Sequence, residues 1–97
     1  MEIRVQSLKF NAYQKLLDHV EKKVSKLEKF DEGISSVEVS LTLMERPDNK
    51  CAKLLAHVPG GNLMIERSAA TFEEAVNEAV DAMKEKIKRN KEKRAEA

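Results

Sequence analysis

Hydrophobic and polar residues follow two distinct periods along this chain. Four segments alternate in polarity, a period that predicts β-strands because successive side chains of a strand point to opposite faces. The predicted strands are 2–8, 36–44, 51–58, and 63 to about 68. Apolar residues recur at helical spacing over 13–27 and over 72–87, which predicts two helices with one apolar face each. The predicted order of elements is βαβββα.

Capping and turn residues mark the ends of these elements. Asn11 is placed to cap the first helix, which we expect to run to about residue 29. Thr71 and Glu74 form a Thr-x-x-Glu capping box at the start of the second helix. Two segments have the composition of turns, namely Arg46-Pro47-Asp48-Asn49 and Pro59-Gly60-Gly61-Asn62.

Two helices with single apolar stripes need a partner surface, and a four-stranded sheet supplies one. We therefore predict an α+β fold, a two-layer sandwich in which both helices pack on one face of the sheet. A right-handed crossover through the first helix would make the first strand parallel to the second. With 97 residues, the chain has room for a single domain spanning 1–97.

The composition argues against a membrane protein, a metalloprotein and an enzyme. Cys51 is the single cysteine, and neither an apolar membrane-spanning run nor a signal peptide is visible, which favours the cytoplasm and no membrane partner. His19, Cys51 and His57 lack the spacing of metal ligands, so we predict no metal and no cofactor. No set of polar residues suggests catalysis or a small-molecule substrate, and we predict that the protein is not an enzyme.

Charge is strongly segregated although the net charge is only +1. Residues 84–94 hold seven bases and two acids, and residues 11–30 hold five lysines and three acids. Residues 31–83 hold four bases and ten acids. The positive charge therefore lies on the predicted helices, where it indicates a phosphate-binding surface rather than an ordinary solvated face.

The bases follow the geometry of the helices. At 100° per residue, the lysines at 15, 22, 26 and 29 fall within about 60° of one another, with Lys23 beside them. The apolar stripe of the second helix stops at Ile87, and beyond it no side of the helix is apolar. We therefore expect the basic extension 84–97 either to project into solvent as a basic rod or to fray.

Several segments together resemble one known family, the bacterial ribosome hibernation promoting factors, also called ribosome-associated inhibitor A or light-repressed and sigma-modulating proteins. They are Val-Glu-Lys-Lys-Val-Ser-Lys-Leu-Glu-Lys-Phe (20–30), Val-Glu-Val-Ser-Leu (37–41), the Gly-Gly hairpin, and the helix that begins Thr-Phe-Glu-Glu-Ala-Val and continues through Asp81-Ala-Met to Lys91-Glu-Lys93. The resemblance covers nearly the whole chain.

The resemblance implies a cytoplasmic factor that binds 16S rRNA of the small ribosomal subunit where messenger RNA and the tRNA anticodon ends meet. It would silence translation in stationary phase or stress. The chain stops at Ala97 without a C-terminal dimerisation domain, so a short form, monomeric on the ribosome, is expected. The residues matched to the family are Lys23, Lys26, Arg89, Lys91 and Lys93, and the charge stripes add Lys15, Lys22, Lys29, Lys86, Lys88 and Arg94.

A protein-interaction module without RNA binding is the alternative. Met44, Leu55 and Met64 would leave apolar surface on the open face of the sheet, where a partner could dock.

Overall fold

The elements appear in the predicted order. The computed structural model describes residues 1–47 and 49–96. Its elements are β1 (Glu2–Leu8), α1 (Gln14–Ser25) followed by a 3-10 turn (Lys26–Lys29), β2 (Ser36–Leu43), β3 (Lys50–Val58), β4 (Gly61–Ala69) and α2 (Phe72–Glu96). The βαβββα prediction is confirmed, and each strand lies within two residues of its predicted bounds.

The four strands form one mixed sheet in the order β1-β2-β3-β4. The pair β1–β2 is parallel, as the crossover through α1 requires, and the other two pairs are antiparallel. The hairpin between β3 and β4 is tight because Gly60 has a φ of 87°, a left-handed conformation that glycine adopts without steric cost.

The core lies between one face of the sheet and the two helices, so the predicted two-layer sandwich is confirmed. Alternate strand residues such as Val37, Leu41 and Leu54 are fully buried beneath Leu16 of α1 and Met83 of α2. At the edge of the core the rings of Phe10 and Phe72 stack with centroids 4.4 Å apart, which packs the start of α2 against the β1–α1 connection.

The sequence predicted the capping residue of α2 correctly but not that of α1. Thr71 Oγ1 accepts a hydrogen bond from the backbone N–H of Glu74 at 3.1 Å, so the predicted cap of α2 is confirmed. The predicted cap of α1 is wrong, because that position is taken by Tyr13, which makes no side-chain capping bond, and not by Asn11. Of the predicted turn 46–49, Asp48 lies outside the described residues, and Met44 N–H donates to Asn49 O at 2.8 Å across it.

The last turns of α2 decide between the two expectations for the basic extension. They do not fray, since the helix continues to Glu96 with Lys91 and Lys93 exposed, but Arg94 forms an ion pair with Asp31 in the loop after the 3-10 turn. The Asp31 side chain is 5% exposed and also accepts a hydrogen bond from Gly33 N–H at 2.9 Å. A polar contact therefore holds the end of α2 where the apolar stripe has run out.

Candidate nucleic-acid interface

The two helices lie side by side and run in the same direction. Successive contacts advance along both: Tyr13 reaches Glu73, His19 Nε2 lies 2.9 Å from Asn77 Oδ1, and Phe30 lies beside Lys84. The lysine-rich ends of α1 and α2 consequently lie at the same end of the molecule. Two separate charge runs of the sequence therefore become one basic surface.

A cleft of about 260 Å³ separates the helices at this end, and we call it the interhelical cleft. Its apolar floor includes Leu27, Phe30 and Val80, and its rim carries Lys23, Lys26, Lys29, Lys84 and one acid, Asp81. The Nζ atoms of Lys84 and Lys88 each lie 5.3 Å from the centroid of the Phe30 ring. This cation–π geometry gathers the two ammonium groups beside the lysines of the 3-10 turn.

A second basic cleft lies on the other side of α2, against β4, and we call it the strand-side cleft. It measures about 220 Å³ and is lined by Leu63, Lys86, Arg89, Asn90 and Lys93. Lys86 Nζ donates a hydrogen bond to the Met64 carbonyl oxygen at 2.9 Å, which ties its ammonium to the edge strand. Basic side chains of α2 therefore lie on both sides of the helix, some at the interhelical cleft and others at the strand-side cleft.

The opposite end of the helix layer is neutral to acidic. The Tyr13 hydroxyl donates a hydrogen bond to the Glu73 carboxylate at the start of α2. This bond is the main reason that the pKa of Glu73 is lowered and the pKa of Tyr13 is raised. Glu73 therefore stays ionised, so the start of α2 repels phosphate, whereas the lysine-rich C-terminal ends of the two helices attract it.

The open face of the sheet carries charges of both signs in pairs. Arg4 lies opposite Glu38 and bonds Glu2, and Lys53 lies opposite Glu66. Opposite charges at cross-strand positions neutralise each other locally. This face therefore offers no cluster of unpaired bases, within the described residues, comparable with the helix layer.

His57 belongs to this paired network on the open face. Its Nε2 lies 2.7 Å from Glu38 Oε2, and its Nδ1 lies 2.7 Å from Asn62 Oδ1. The contact with Glu38, followed by that with Asn62, raises the pKa of His57 above its ordinary value. The three side chains tie β2, β3 and β4 together.

Residues 3–95 match the model of the family described as sigma 54 modulation protein / S30EA ribosomal protein. The chain belongs to this family. The N-terminal domain of Protein Y from Thermus thermophilus is similar, with 27% identity and a TM-score of 0.81 over 92% of this chain and 98% of that one. A ribosomal subunit interface protein from Coxiella burnetii shares the fold, with a TM-score of 0.85, 14% identity, and coverage of 94% and 98%. No curated protein matches the chain significantly.

Family membership confirms the resemblance drawn from the sequence and associates the chain with the ribosome. Proteins of the S30EA family are non-enzymatic factors, which agrees with the prediction that the chain is not an enzyme. Within residues 1–47 and 49–96, no cluster of His, Cys, Asp or Glu could hold a metal ion. Neither helix in that part of the chain is long and apolar enough to cross a membrane.

The structure brings most of the predicted site residues of this S30EA member onto the helix layer. The exposed members are Lys15, Lys22, Lys26, Lys29, Lys88, Arg89, Lys91 and Lys93, while Lys23 and Lys86 are half-buried at the rims of the two clefts.

The structure adds information on two further basic residues of α2, Arg94 and Lys84. Arg94 forms an ion pair with the buried carboxylate of Asp31, and this ion pair anchors the end of α2. Lys84 was absent from the predicted site, yet it lines the interhelical cleft. The signal for it was in the sequence, because Lys84 stands four residues before Lys88 and so on the same side of the helix.

Proposed function

We propose that this protein is a hibernation factor that binds 16S rRNA of the small ribosomal subunit in the channel for messenger RNA and tRNA anticodon ends. By occupying that channel in the cytoplasm it silences translation in stationary phase or stress. The observation that carries the proposal is the convergence of two basic helix ends on one surface in a member of a ribosome-associated family.

Counterion release supplies the affinity. Each RNA phosphate that a lysine or arginine neutralises releases condensed cations, so binding weakens steeply as salt rises. The proposed ligands are Lys15, Lys22, Lys23, Lys26, Lys29, Lys84, Lys86, Lys88, Arg89, Lys91 and Lys93. Such contacts fix position and orientation without reading bases, which suits a factor that recognises the shape of a folded RNA.

The alternative, a protein-interaction module that uses the open face of the sheet, has less support. Met64 is 51% exposed and lies opposite half-buried Leu55, but the Lys53–Glu66 and Arg4–Glu38 pairs surround them. Few apolar side chains are therefore available for a dry interface on this face.

The test uses purified ribosomal subunits and a cell-free translation reaction. We expect the protein to co-sediment with small subunits, to compete with messenger RNA and tRNA for them, and to inhibit translation. The variant K26Q/K88Q removes two exposed bases at the interhelical cleft and should lose most of both effects. R4Q/K53Q removes two bases from the open face of the sheet and is the matched control. Binding to large subunits alone, or inhibition that persists in K26Q/K88Q, would contradict the proposal.

A further inference from the structure

An acidic ridge divides the basic surface of α2. Glu74, Glu78, Asp81, Glu85 and Glu92 are all exposed. At 100° per residue they fall within about 60° of one another on the outward side of the helix, with Asp81 reaching the rim of the interhelical cleft. The bases of α2, which begin at Lys84, lie to either side of the C-terminal part of this ridge, with Lys88 and Arg89 bordering it on opposite sides.

Contacts with neighbouring elements fix the two flanks independently of helical spacing. Lys84 and Lys88 face the end of the 3-10 turn that follows α1, because both ammonium groups lie over the ring of Phe30. Lys86 faces the sheet, because it bonds the β4 backbone, and Arg89 and Lys93 share its cleft with Leu63. The ridge therefore stands between two clefts, each with its own bases.

We propose that the two clefts bind two separate segments of RNA backbone at the same time, one on each side of α2. The helix with its side chains is about 10–12 Å across, so a single backbone that entered both clefts would have to pass over the outward side of α2, beside the carboxylates of Glu85 and Glu92. Phosphates are repelled there and attracted on either side. The protein thus clamps two strands, or two turns of one folded RNA, instead of lying along one.

This arrangement deepens the proposed RNA binding and rests on it. It would let the protein discriminate between RNAs by shape, which a continuous basic patch would not, since only an RNA with two backbone segments at the spacing of the clefts can bind both clefts. A flexible single strand engages one cleft at a time, and two short strands can occupy the protein together.

The experiment titrates the full chain with hexauridylate, a short unstructured RNA, at low salt, and counts bound strands by native mass spectrometry and calorimetry. We expect two strands on the wild type. K26Q/K88Q removes one base that lines the interhelical cleft and one that lies over its Phe30 ring, and R89Q/K93Q removes two bases that line the strand-side cleft. Each variant should weaken one site at least tenfold while the other site persists. The control R4Q/K53Q has the same change in net charge and should keep both sites. Circular dichroism verifies that each variant is folded.

A second measurement tests the ridge. Neutralising it in E78Q/E85Q should raise the affinity of both sites at least about threefold at low salt, because carboxylates within a Debye length repel the bound strands. One strand per protein, no bound strand, loss of both sites in either cleft variant, or unchanged affinity in E78Q/E85Q would overturn the two-cleft arrangement. Small-subunit binding by the wild type is scored separately, so a single RNA site on a protein that still binds subunits refutes the clamp alone.

Discussion

The ion pair between Asp31 and Arg94 is expected to be a main support of the C-terminal turns of α2. The Asp31 side chain is 5% exposed and the Arg94 side chain is 34% exposed. Substitution of Arg94 therefore leaves the buried Asp31 carboxylate without its ion-pair partner and with little access to water. Breaking a fully buried pair costs about 3–5 kcal/mol. Because Gly33 N–H still bonds Asp31 and Arg94 is partly solvated, we expect Arg94→Met to lower the free energy of unfolding by about 2–3 kcal/mol.

Asp31→Asn should cost less, about 1 kcal/mol, because an amide oxygen still accepts from Gly33 N–H and no buried charge is left. The double variant D31N/R94M should be more stable than R94M alone. Urea unfolding followed by circular dichroism measures the free energies, and each kcal/mol corresponds to roughly 4–8 °C in Tm for a domain of this size. A loss below about 0.5 kcal/mol in R94M, or simple additivity in the double variant, would refute the anchoring role.

Three further predictions concern the fold. Gly33→Ala should destabilise by about 1–3 kcal/mol, because a Cβ there would lie 2.6 Å from Pro59 Cγ, and Pro59→Ala should restore part of the loss in thermal melts. The contact with Glu38 raises the pKa of His57 in the folded state. Protonated His57 therefore stabilises the fold at pH values below the pKa that His57 has in the unfolded chain, and this stabilisation is lost as the pH rises through the pKa of the folded state. His57→Gln should therefore reduce stability at acidic pH more than at alkaline pH, and an equal loss at both would contradict this. Met83→Ala should cost about 2–5 kcal/mol in urea unfolding, because the side chain is fully buried between α2 and the sheet, and a loss under about 1 kcal/mol would mean that α2 packs elsewhere.

The architecture was predictable because its signals are local. Alternation of Val37, Val39 and Leu41 fixes which face of β2 is buried, and the Thr71 cap marks where α2 begins. The cap of α1 was not predictable in the same way, because Tyr13 holds the position by tertiary contact with Glu73 rather than by a capping bond.

The site was predictable in composition but not in arrangement. Charge counts located the bases on the two helices, yet they carried no information on how α1 and α2 are rotated against each other. The spacing of Lys84 from Lys88 places both on one side of α2, but only the packing of Lys84 over Phe30 places that side at the interhelical cleft. Arg94 pairs with Asp31, which is 63 residues away in sequence, and no local pattern contains this pairing.

The salt dependence of small-subunit binding tests the central claim most directly. For wild type, log affinity should fall linearly with log salt concentration. The variant K26Q/K88Q/R89Q/K93Q should reduce the slope by about 3–4, because each phosphate that a base no longer neutralises removes about 0.9 from it. R4Q/K53Q should leave the slope of the wild type unchanged. An unchanged slope in the four-site variant, or an equal reduction in the control, would show that this protein does not contact the ribosome through the basic residues of α1 and α2.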